Sequence, residues 1–339
     1  MSLVLYSRLK FTFVSWINHA VIKIRATYQN KHVIRQTGLF ITFVTLFLGV
    51  FLSRDGYQGL EARAQSSLAN TEQDKNVSLK WLGVAGWEIT FGTTTILIDP
   101  FLTRKEARHD QEWKTDEDAV LSVIKRADYI FAGHSHADHI ADIPFIAKKF
   151  DAKVVGSRTT TNIAISAGVD KARLITIAGG EKLDFPGFSV QVIESEHGIV
   201  RRGGRTRRPK FEEITQPWNG PVTGEAFVEG GCYIYYFTFG GRTLLHQSSG
   251  GFVEEKLAGL RPDVALLYPM NRVDTVSLLG TAPAKTVIVH HFDQWRAHFA
   301  EGMPPSSVSR GQRFARDVRR IDKRIKMIVP DFLASYPLD

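Results

Sequence analysis

The sequence predicts an α/β fold built from two similar halves, each with a β-sheet and outer helices. The first observation is the order of the patterns: strand-like runs are followed by strand–helix units, and this order then repeats once. The second is a dense cluster of His and Asp side chains at a predicted strand-to-helix junction. The third is the length, because 339 residues suffice for one large domain or two ordinary ones.

The positive charge of the chain is concentrated near its N-terminus. The whole chain carries a formal net charge of +8. Residues 1–64 contain eight Lys or Arg and two acidic residues, a balance of +6, so only +2 remains for the rest. The main domain is therefore nearly neutral, and we expect no nucleic-acid partner.

The chain has a single cysteine, Cys232, which lies in a strand-like run. One cysteine excludes an intrachain disulfide framework and a cysteine-rich zinc site. We expect Cys232 to be a small buried residue and not a nucleophile.

The N-terminal region divides into three segments before the main domain begins. Residues 1–37 are basic, residues 38–52 are almost entirely apolar, and residues 53–76 have the polar composition of a linker. The apolar segment has about the length of a signal-peptide core and is short for a full membrane span. Its basic flank indicates that the following residues cross the membrane. We expect a signal peptide or a membrane anchor, and hence an exported or membrane-anchored protein; the alternative is a buried core helix.

The first half of the main domain begins with strands and continues with strand–helix units. The predicted strands are Val77–Trp81, Trp87–Phe91, Thr95–Ile98, Asp128–Gly133, Lys153–Gly156 and Arg173–Ile177. The predicted helices are Ala119–Arg126, Ile140–Phe150 and Arg158–Ala167. A hairpin that includes Phe188–Ile193 follows.

The second half begins after a Gly-, Pro- and Arg-rich stretch, residues 199–225, which predicts a long loop of the kind that often serves as a lid. The predicted strands are Cys232–Phe239, Thr243–His246, Asp263–Tyr268, Thr286–His291 and a last one near Met327–Val329. The predicted helices are Glu254–Gly259 and an amphipathic helix that begins near Ser306 or Ser307.

The chemical centre of the sequence is the pattern H-x-H-x-D-H, formed by His134, His136, Asp138 and His139. Residues two apart on an extended backbone point to the same side, so the first two histidines can reach one ion. Asp138 and His139 follow as a helix begins, and they point to a second position close by. Imidazole and carboxylate donors suit Zn²⁺, and Mn or Fe would also fit.

This motif resembles that of the metallo-β-lactamase superfamily of metal-dependent hydrolases. The resemblance extends over residues 77–339 and includes an opening with Leu82-Gly83, Gly86-Trp87 and Ile98–Leu102. That opening looks like the one in the branch containing L-ascorbate-6-phosphate lactonase and N-acyl phosphatidylethanolamine phospholipase D. The resemblance implies a four-layer αββα sandwich with one or two metal ions at one sheet edge.

The resemblance also implies which later residues complete the two metal positions. A later histidine would join His134 and His136, and the best match is His197, at the end of a predicted strand. A C-terminal histidine would join the second position, and the best match is His291, with His290 as the alternative.

One residue departs from the superfamily pattern. The superfamily usually has an aspartate that bridges both metals, but here the corresponding stretch is neutral, and Ser249 stands where the aspartate is expected. A serine is a poor replacement for a bridging carboxylate. We therefore expect either weaker binding of the second ion or a compensating ligand, for which His246 is the candidate.

The function that the resemblance implies is hydrolysis of an ester, lactone or phosphodiester in a small-molecule or lipid-like substrate by a metal-bound hydroxide. Asp138 would orient the water and pass its proton to the leaving group. The alternative is a membrane-tethered binding or regulatory protein on a decayed hydrolase scaffold, which the neutral Ser249 would favour.

Four further residues are candidates for supporting roles. Asp99 and Asp293 would each either orient a ligand histidine or simply end a strand or turn. Arg201 and Arg202 open an arginine-rich loop directly after His197. They would either guide an anionic substrate or belong to a solvated basic loop that meets an anionic membrane surface.

Overall fold

The computed structural model describes residues 76–202, 205–207 and 211–338. The basic segment, the apolar segment 38–52 and the linker up to residue 75 lie outside the described residues, so their predicted roles stay predictions. In the part of the chain that is described, no helix combines the length and the apolar character that a membrane crossing requires.

The first sheet has seven strands, with its antiparallel part at one edge and its parallel part at the other. The strands are β1 (Val77–Gly83), β2 (Gly86–Phe91), β3 (Thr94–Ile98), β4 (Tyr129–Phe131), β5 (Lys153–Gly156), β6 (Leu174–Thr176) and β16 (Ser335–Pro337), in the spatial order β16-β1-β2-β3-β4-β5-β6. Strands β3 to β6 are parallel. Parallel neighbours need crossover connections; these contain helices α1 (Glu117–Val123), α2 (Ala137–Ile140), α3 (Ile143–Phe150) and α4 (Arg158–Ser166).

The second sheet also has seven strands. They are β7 (Lys182–Phe185), β8 (Phe188–Ser195), β11 (Cys232–Phe239), β12 (Arg242–Gln247), β13 (Val264–Leu267), β14 (Thr286–Val289) and β15 (Lys326–Ile328), in the order β15-β14-β13-β12-β11-β8-β7. Its helices are α5 (Glu254–Leu257), α6 (Arg272–Thr281) and α7 (Pro305–Ile321). A separate two-stranded hairpin consists of β9 (Val200–Arg202) and β10 (Arg205–Arg207).

The core lies between the two sheets. Phe131 of the first sheet has its ring centroid 5.3 Å from Tyr235 and 5.1 Å from Phe237 of the second sheet. Apolar side chains of α1, α3 and α4 pack in a second buried cluster with the other face of the first sheet, and α6 and α7 pack against the second sheet. The result is helix, sheet, sheet and helix, which confirms the predicted four-layer α/β sandwich.

Besides the hairpin β9–β10, two elements were not predicted: helix α6 and the last strand, β16. In α6, Val273 is 77% exposed and Val276 is 45% exposed, so apolar residues lie on both its inner and outer faces. Sequence prediction of a helix depends on apolar residues that recur on one face only, and α6 lacks that pattern. Strand β16 is short and includes a proline, which is tolerated because this strand is at the sheet edge.

Three predicted boundaries were also wrong. The stretch 199–225 is not wholly a loop, because it contains β9, β10 and a short 3₁₀ turn at Gly224–Ala226. The helix predicted from Ile140 is two helices, and Pro144 lies in the first turn of the second, where its missing N–H costs nothing. The long helix begins at Pro305 and not at a serine cap.

Candidate metal centre

The H-x-H-x-D-H cluster lies where β4 meets α2. His134 and His136 are in the connecting loop, and His136 immediately precedes the helix. Asp138 and His139 are in the first turns of α2. The cluster follows β4 directly, so it lies at the carboxyl end of this strand. Strand β4 is parallel to both of its neighbours, and open α/β sheets usually bind their ligands at the carboxyl ends of such strands.

The structure brings His134, His136 and His197 together. One possible ligand atom from each lies within 4.8 Å of those of the other two. His134 Nε2 is 3.0 Å from His136 Nδ1. The ring of His197 comes from the loop that follows β8, and its centroid lies 5.0 Å from that of His134 and 4.9 Å from that of His136.

A second group contains Asp138, His139 and His291. Asp138 Oδ2 is 3.4 Å from His291 Nε2 and 3.7 Å from His139 Nε2. The two imidazole Nε2 atoms are 3.3 Å apart. The ring centroids of His139 and His134 are 3.8 Å apart, so the two groups are adjacent.

The donors of both groups fit divalent metal ions. Each group directs three nitrogen or oxygen atoms at one point, and the two groups together contain five imidazoles and one carboxylate, a donor set that suits Zn²⁺. Two imidazole nitrogens at 3.0 Å can share at most one proton, and a cation between all three donors satisfies their lone pairs. Three protein donors per ion leave a position for water, which is the pattern of a catalytic site.

Asp99 fixes the orientation of the second group. Its Oδ2 is 2.9 Å from His139 Nδ1, and its Oδ1 accepts a hydrogen bond of 2.6 Å from Gly133 N. A carboxylate on Nδ1 holds the proton there and leaves Nε2 to face a metal. Of its two predicted roles, the geometry matches the orienting one.

Ser248, and not Ser249, lies beside both groups. Ser248 Oγ donates to Asp99 Oδ2 at 2.9 Å and is 3.1 Å from His134 Nδ1, so its oxygen accepts the proton of that histidine. Ser249 Oγ instead accepts from Gly198 N at 3.0 Å. A hydroxyl thus connects the outer nitrogens of one histidine from each group through Asp99. These contacts are on the Nδ1 side of the rings, whereas Ser249 was expected where an aspartate would bridge two metals, so that expectation stays a prediction.

Gly133 is required by the close approach of this serine. A Cβ atom on Gly133 would lie 2.1 Å from Ser248 Oγ and 3.0 Å from Asp99 Oδ2. Sequence reasoning identified neither Gly133 nor Ser248. The sequence offered one signal for them: Gly133 ends a predicted strand directly before the metal motif, and Ser248 closely follows another predicted strand.

The variant Ser248→Ala should lower metal affinity by about 10- to 100-fold, because loss of an outer hydrogen-bond partner loosens a ligand histidine. His134 Nδ1 would lose its acceptor, and Asp99 would lose one donor. Competition with a chelator of known affinity measures the change. The control is Ser122→Ala, which removes an exposed hydroxyl of α1 that donates to Ala119 O and should bind metal within about threefold of the parent. Equal losses in both variants would contradict this role for Ser248.

His290 and His246 do not join either group. His290 Nδ1 accepts from Trp87 Nε1 at 3.0 Å, and its Nε2 donates to Gln247 O at 2.8 Å, so both ring nitrogens are used. His246 Nε2 donates to Ala85 O at 2.9 Å. Between His290 and His291, the geometry selects His291, and it gives no support to His246 as a compensating ligand.

Asp293 acts on His291 through the backbone. Its carboxylate accepts from Val84 N at 3.0 and 3.1 Å, and Val84 O accepts from His291 N at 2.7 Å. His291 has a φ of +55°, a conformation that non-glycine residues adopt only when the surroundings hold them there. Arg104, which sequence reasoning missed, pairs with Asp293 at 2.6 Å and is 4% exposed.

Burial keeps most of the ligand histidines neutral. It lowers the pKa of His136 to about 4, with the charge of His197 as the next cause, and it lowers the pKa of His291 to about 4. Burial also lowers the pKa of His134 well below its ordinary value. For Asp138, burial is the largest single effect and opposes ionisation, but the charges of His139, His291 and His136 together outweigh it and lower the pKa. Neutral imidazoles and an ionised carboxylate are the forms that bind metals.

The metal-free protein should lose stability as the pH falls from about 6.5 to about 4. In this window the unfolded chain protonates His136 and His291, whereas the folded chain keeps them neutral, so the unfolded state binds more protons. The free energy of unfolding therefore rises with pH up to about 6.5. His139 opposes this trend, since Asp99 and Asp138 together outweigh its burial and raise its pKa.

Urea denaturation of the chelated protein at several pH values between 4 and 7.5 measures this dependence. The double variant His136→Gln with His291→Gln should show a shallower slope, because both titrating groups are gone. A stability that increases toward pH 4 in the parent would contradict the prediction.

Arg201 and Arg202 belong to strand β9 and are not members of either metal group. Their side chains lie outside the described residues, so the predicted contact with substrate stays a prediction.

A cavity of about 880 Å³ adjoins the metal groups. His197 and Gly198 line one side of it, and Tyr268 and Arg310 line another. His197 belongs to the first group, and the ring of Tyr268 is 5.2 Å from that of His291, so one wall residue of the cavity contacts the second group. This size is typical of small-molecule sites.

The geometry is matched by similarity to known proteins. Residues 78–288 match the family model described as Beta-lactamase superfamily domain. A relative from Polynucleobacter asymbioticus, named UPF0173 metal-dependent hydrolase, is 31% identical over 257 residues, which cover 73% of this chain and 84% of the relative. The chain therefore belongs to the metallo-β-lactamase superfamily, and the family prediction is confirmed.

Other similarities are shorter or more distant. A relative of the same name from Azorhizobium caulinodans is 31% identical over 140 residues, which cover 40% of this chain and 54% of that relative. The chain spans about half the length of this relative and of two from Pyrococcus. Among solved structures, Igni18, a metallo hydrolase from Ignicoccus hospitalis, is similar with a TM-score of 0.54 and 18% identity, covering 78% of this chain and 99% of that one. At 18% identity, the similarity to Igni18 is evidence for the fold alone.

Proposed function

We propose that this chain is a metal-dependent hydrolase that cleaves an ester, lactone or phosphodiester with the help of one or two Zn²⁺ ions. The observation that carries the proposal is the pair of adjacent three-donor groups, whose nearest rings are 3.8 Å apart. When bound, such ions lower the pKa of a coordinated water and polarise the bond to be cleaved. Mn or Fe would suit the same donors.

The six ligand residues have distinct roles in this proposal. His134, His136 and His197 hold the first position, and His139 and His291 hold the second together with Asp138. Asp138 is ionised at neutral pH, and we expect its carboxylate to orient the attacking water and to pass a proton to the leaving group.

The proposal also includes a location for the domain. The apolar residues 38–52 and the basic residues before them support export or anchoring at a membrane, with the hydrolase domain on the periplasmic or extracellular side. Fractionation of cells that express the full chain, compared with a chain that lacks residues 1–52, tests this location. Recovery of both forms from the cytoplasmic fraction would contradict it.

A second candidate is a membrane-tethered binding or regulatory protein on a hydrolase scaffold. One observation favours it: Ser249, at the position where a bridging aspartate is expected, is neutral, and its Oγ accepts a hydrogen bond from Gly198 N at 3.0 Å. Such a protein would bind its ligand even after His136→Ala. The complete set of six ligand residues makes the hydrolase the better proposal.

The decisive experiment is an activity panel with metal-reconstituted protein. We expect Zn²⁺-, Mn²⁺- or Fe²⁺-loaded protein to cleave at least one class among p-nitrophenyl esters, lactones and bis(p-nitrophenyl) phosphate. Chelation and His136→Ala should both remove that activity. Stoichiometric metal without turnover anywhere in the panel would contradict the hydrolase.

A further inference from the structure

We propose that the substrate carries an anionic group, a carboxylate or a phosphate, that binds Arg310 and is joined to the scissile bond by a short apolar spacer. This inference rests on the proposed hydrolase function and names its substrate class. It concerns the cavity beside the metal groups and residues that are not metal ligands.

Arg310 is connected to the second metal group through the ring of Tyr268, which contacts both Arg310 and His291. Its Nη2 donates to Tyr268 Oη at 3.1 Å, and its Cζ is 5.5 Å from the centre of the Tyr268 ring. The same ring is 5.2 Å from that of His291. The tyrosine thus fixes the guanidinium at the cavity wall, within reach of a small molecule whose other end is at the metals.

The guanidinium of Arg310 has no carboxylate partner among the described residues, in contrast to Arg296, which pairs with Glu106 at 2.7 Å, and Arg324, which pairs with Asp322 at 2.7 Å. Arg313 and Arg316 of the same helix have no such partner in the described part of the chain either, but of these three arginines only Arg310 lines the cavity. An arginine presents a planar fork of donors that matches a carboxylate or a phosphate. Among the described residues, one hydrogen bond of this fork is used, to Tyr268 Oη, so the other donors are available to a ligand.

Three carboxylates, those of Glu196, Glu254 and Asp274, also line the cavity and disfavour an anion near them. Glu254 accepts hydrogen bonds from Ser277 Oγ at 2.6 Å and Thr281 Oγ1 at 3.0 Å, and Asp274 accepts one from Asn271 Nδ2 at 2.6 Å. These carboxylates would repel a substrate anion from their side. The charges therefore direct the anionic group of the substrate to Arg310.

Apolar side chains occupy the rest of the rim. Ile199 is 54% exposed and Val273 is 77% exposed, and both line the cavity together with Met270 and Phe252. Large exposed aliphatic side chains in a concave site offer contact to the apolar part of a ligand. The combination of metals, an apolar wall and one arginine fits a substrate with a charge at its distal end.

A matched pair of esters tests this specificity. Mono-p-nitrophenyl glutarate and p-nitrophenyl butyrate share the reacting ester and differ in a terminal carboxylate. The parent should prefer the glutarate by about tenfold or more in kcat/KM, as expected for a charged hydrogen bond. Arg310→Ala should bring this ratio close to one, while Arg316→Ala, an exposed arginine of the same helix outside the cavity, should keep it.

Calorimetric titration of the zinc-loaded protein with glutarate and with butyrate gives a second measurement that needs no turnover. Glutarate should bind about tenfold more tightly than butyrate to the parent and to Arg316→Ala, and the difference should vanish in Arg310→Ala. A preference that survives Arg310→Ala, or none in the parent, would overturn the proposal. Failure to cleave either ester would remove these esters from the proposed function and leave the lactone and phosphodiester arms of the panel, whereas the titration would still decide the anion site.

Discussion

Replacing Asp138 by Asn should lower kcat/KM by about 10³-fold or more for any substrate that the protein cleaves. The carboxylate Oδ2 is 3.4 Å from His291 Nε2 and 3.7 Å from His139 Nε2, so it is placed both to bind the second ion and to contact its water. An amide keeps the shape of the side chain but removes its charge and its capacity to accept a proton. Steady-state kinetics at measured metal content gives the size of the loss.

The matched control for this variant is Asp118→Asn. Asp118 is exposed in the first turn of α1 and belongs to neither metal group, so its substitution should leave kcat/KM within about twofold. If Asp138→Asn kept its full metal content and lost less than tenfold in kcat/KM, the role assigned to Asp138 would be wrong.

Arg104→Ala should lower the free energy of unfolding by about 3–5 kcal/mol. Both side chains of the Arg104–Asp293 pair are fully buried, and the arginine also donates to the backbone oxygens of Ala297 and Gln294. Its removal leaves a buried carboxylate without a cation, which is the most expensive way to break such a pair. Urea denaturation of the parent and the variant measures the loss.

The same variant should also weaken metal binding at the second group. Asp293 holds Val84, and Val84 holds the backbone of His291, so a displaced Asp293 loosens a ligand. The double variant Arg104→Met with Asp293→Asn should lose less stability than Arg104→Ala, since no unpaired charge remains. A stability loss below about 1 kcal/mol in Arg104→Ala would contradict this account of the pair.

The sequence was most informative where the chemistry is local. His134, His136, Asp138 and His139 lie within six residues, and one turn of backbone suffices to direct them at two adjacent points. His291 comes from a different sheet, and only the resemblance to a family pointed to it. Its φ of +55° and its hydrogen bond to Val84 arise from tertiary structure that no local pattern contains.

Ser248 and Arg104 were missed for a common physical reason. Which of two neighbouring hydroxyls, that of Ser248 or that of Ser249, faces the outer nitrogens after β12 ends depends on a backbone direction that a shift of one residue reverses. The burial of Arg104 could not be predicted from the polar stretch around it, because it depends on Phe299 and Phe332. These residues lie almost 200 or more positions away in sequence, and the centres of their rings are 4.9 and 5.1 Å from the Cζ atom of Arg104.

The most direct test of the central claim is the metal content of the purified protein after reconstitution with zinc and removal of excess ion. The claim of two adjacent three-donor groups predicts two ions per chain, one fewer in His197→Ala, and one fewer in His291→Ala, because each variant removes a ligand from one group only. Less than one ion per chain in the parent, or a content that neither variant changes, would contradict it.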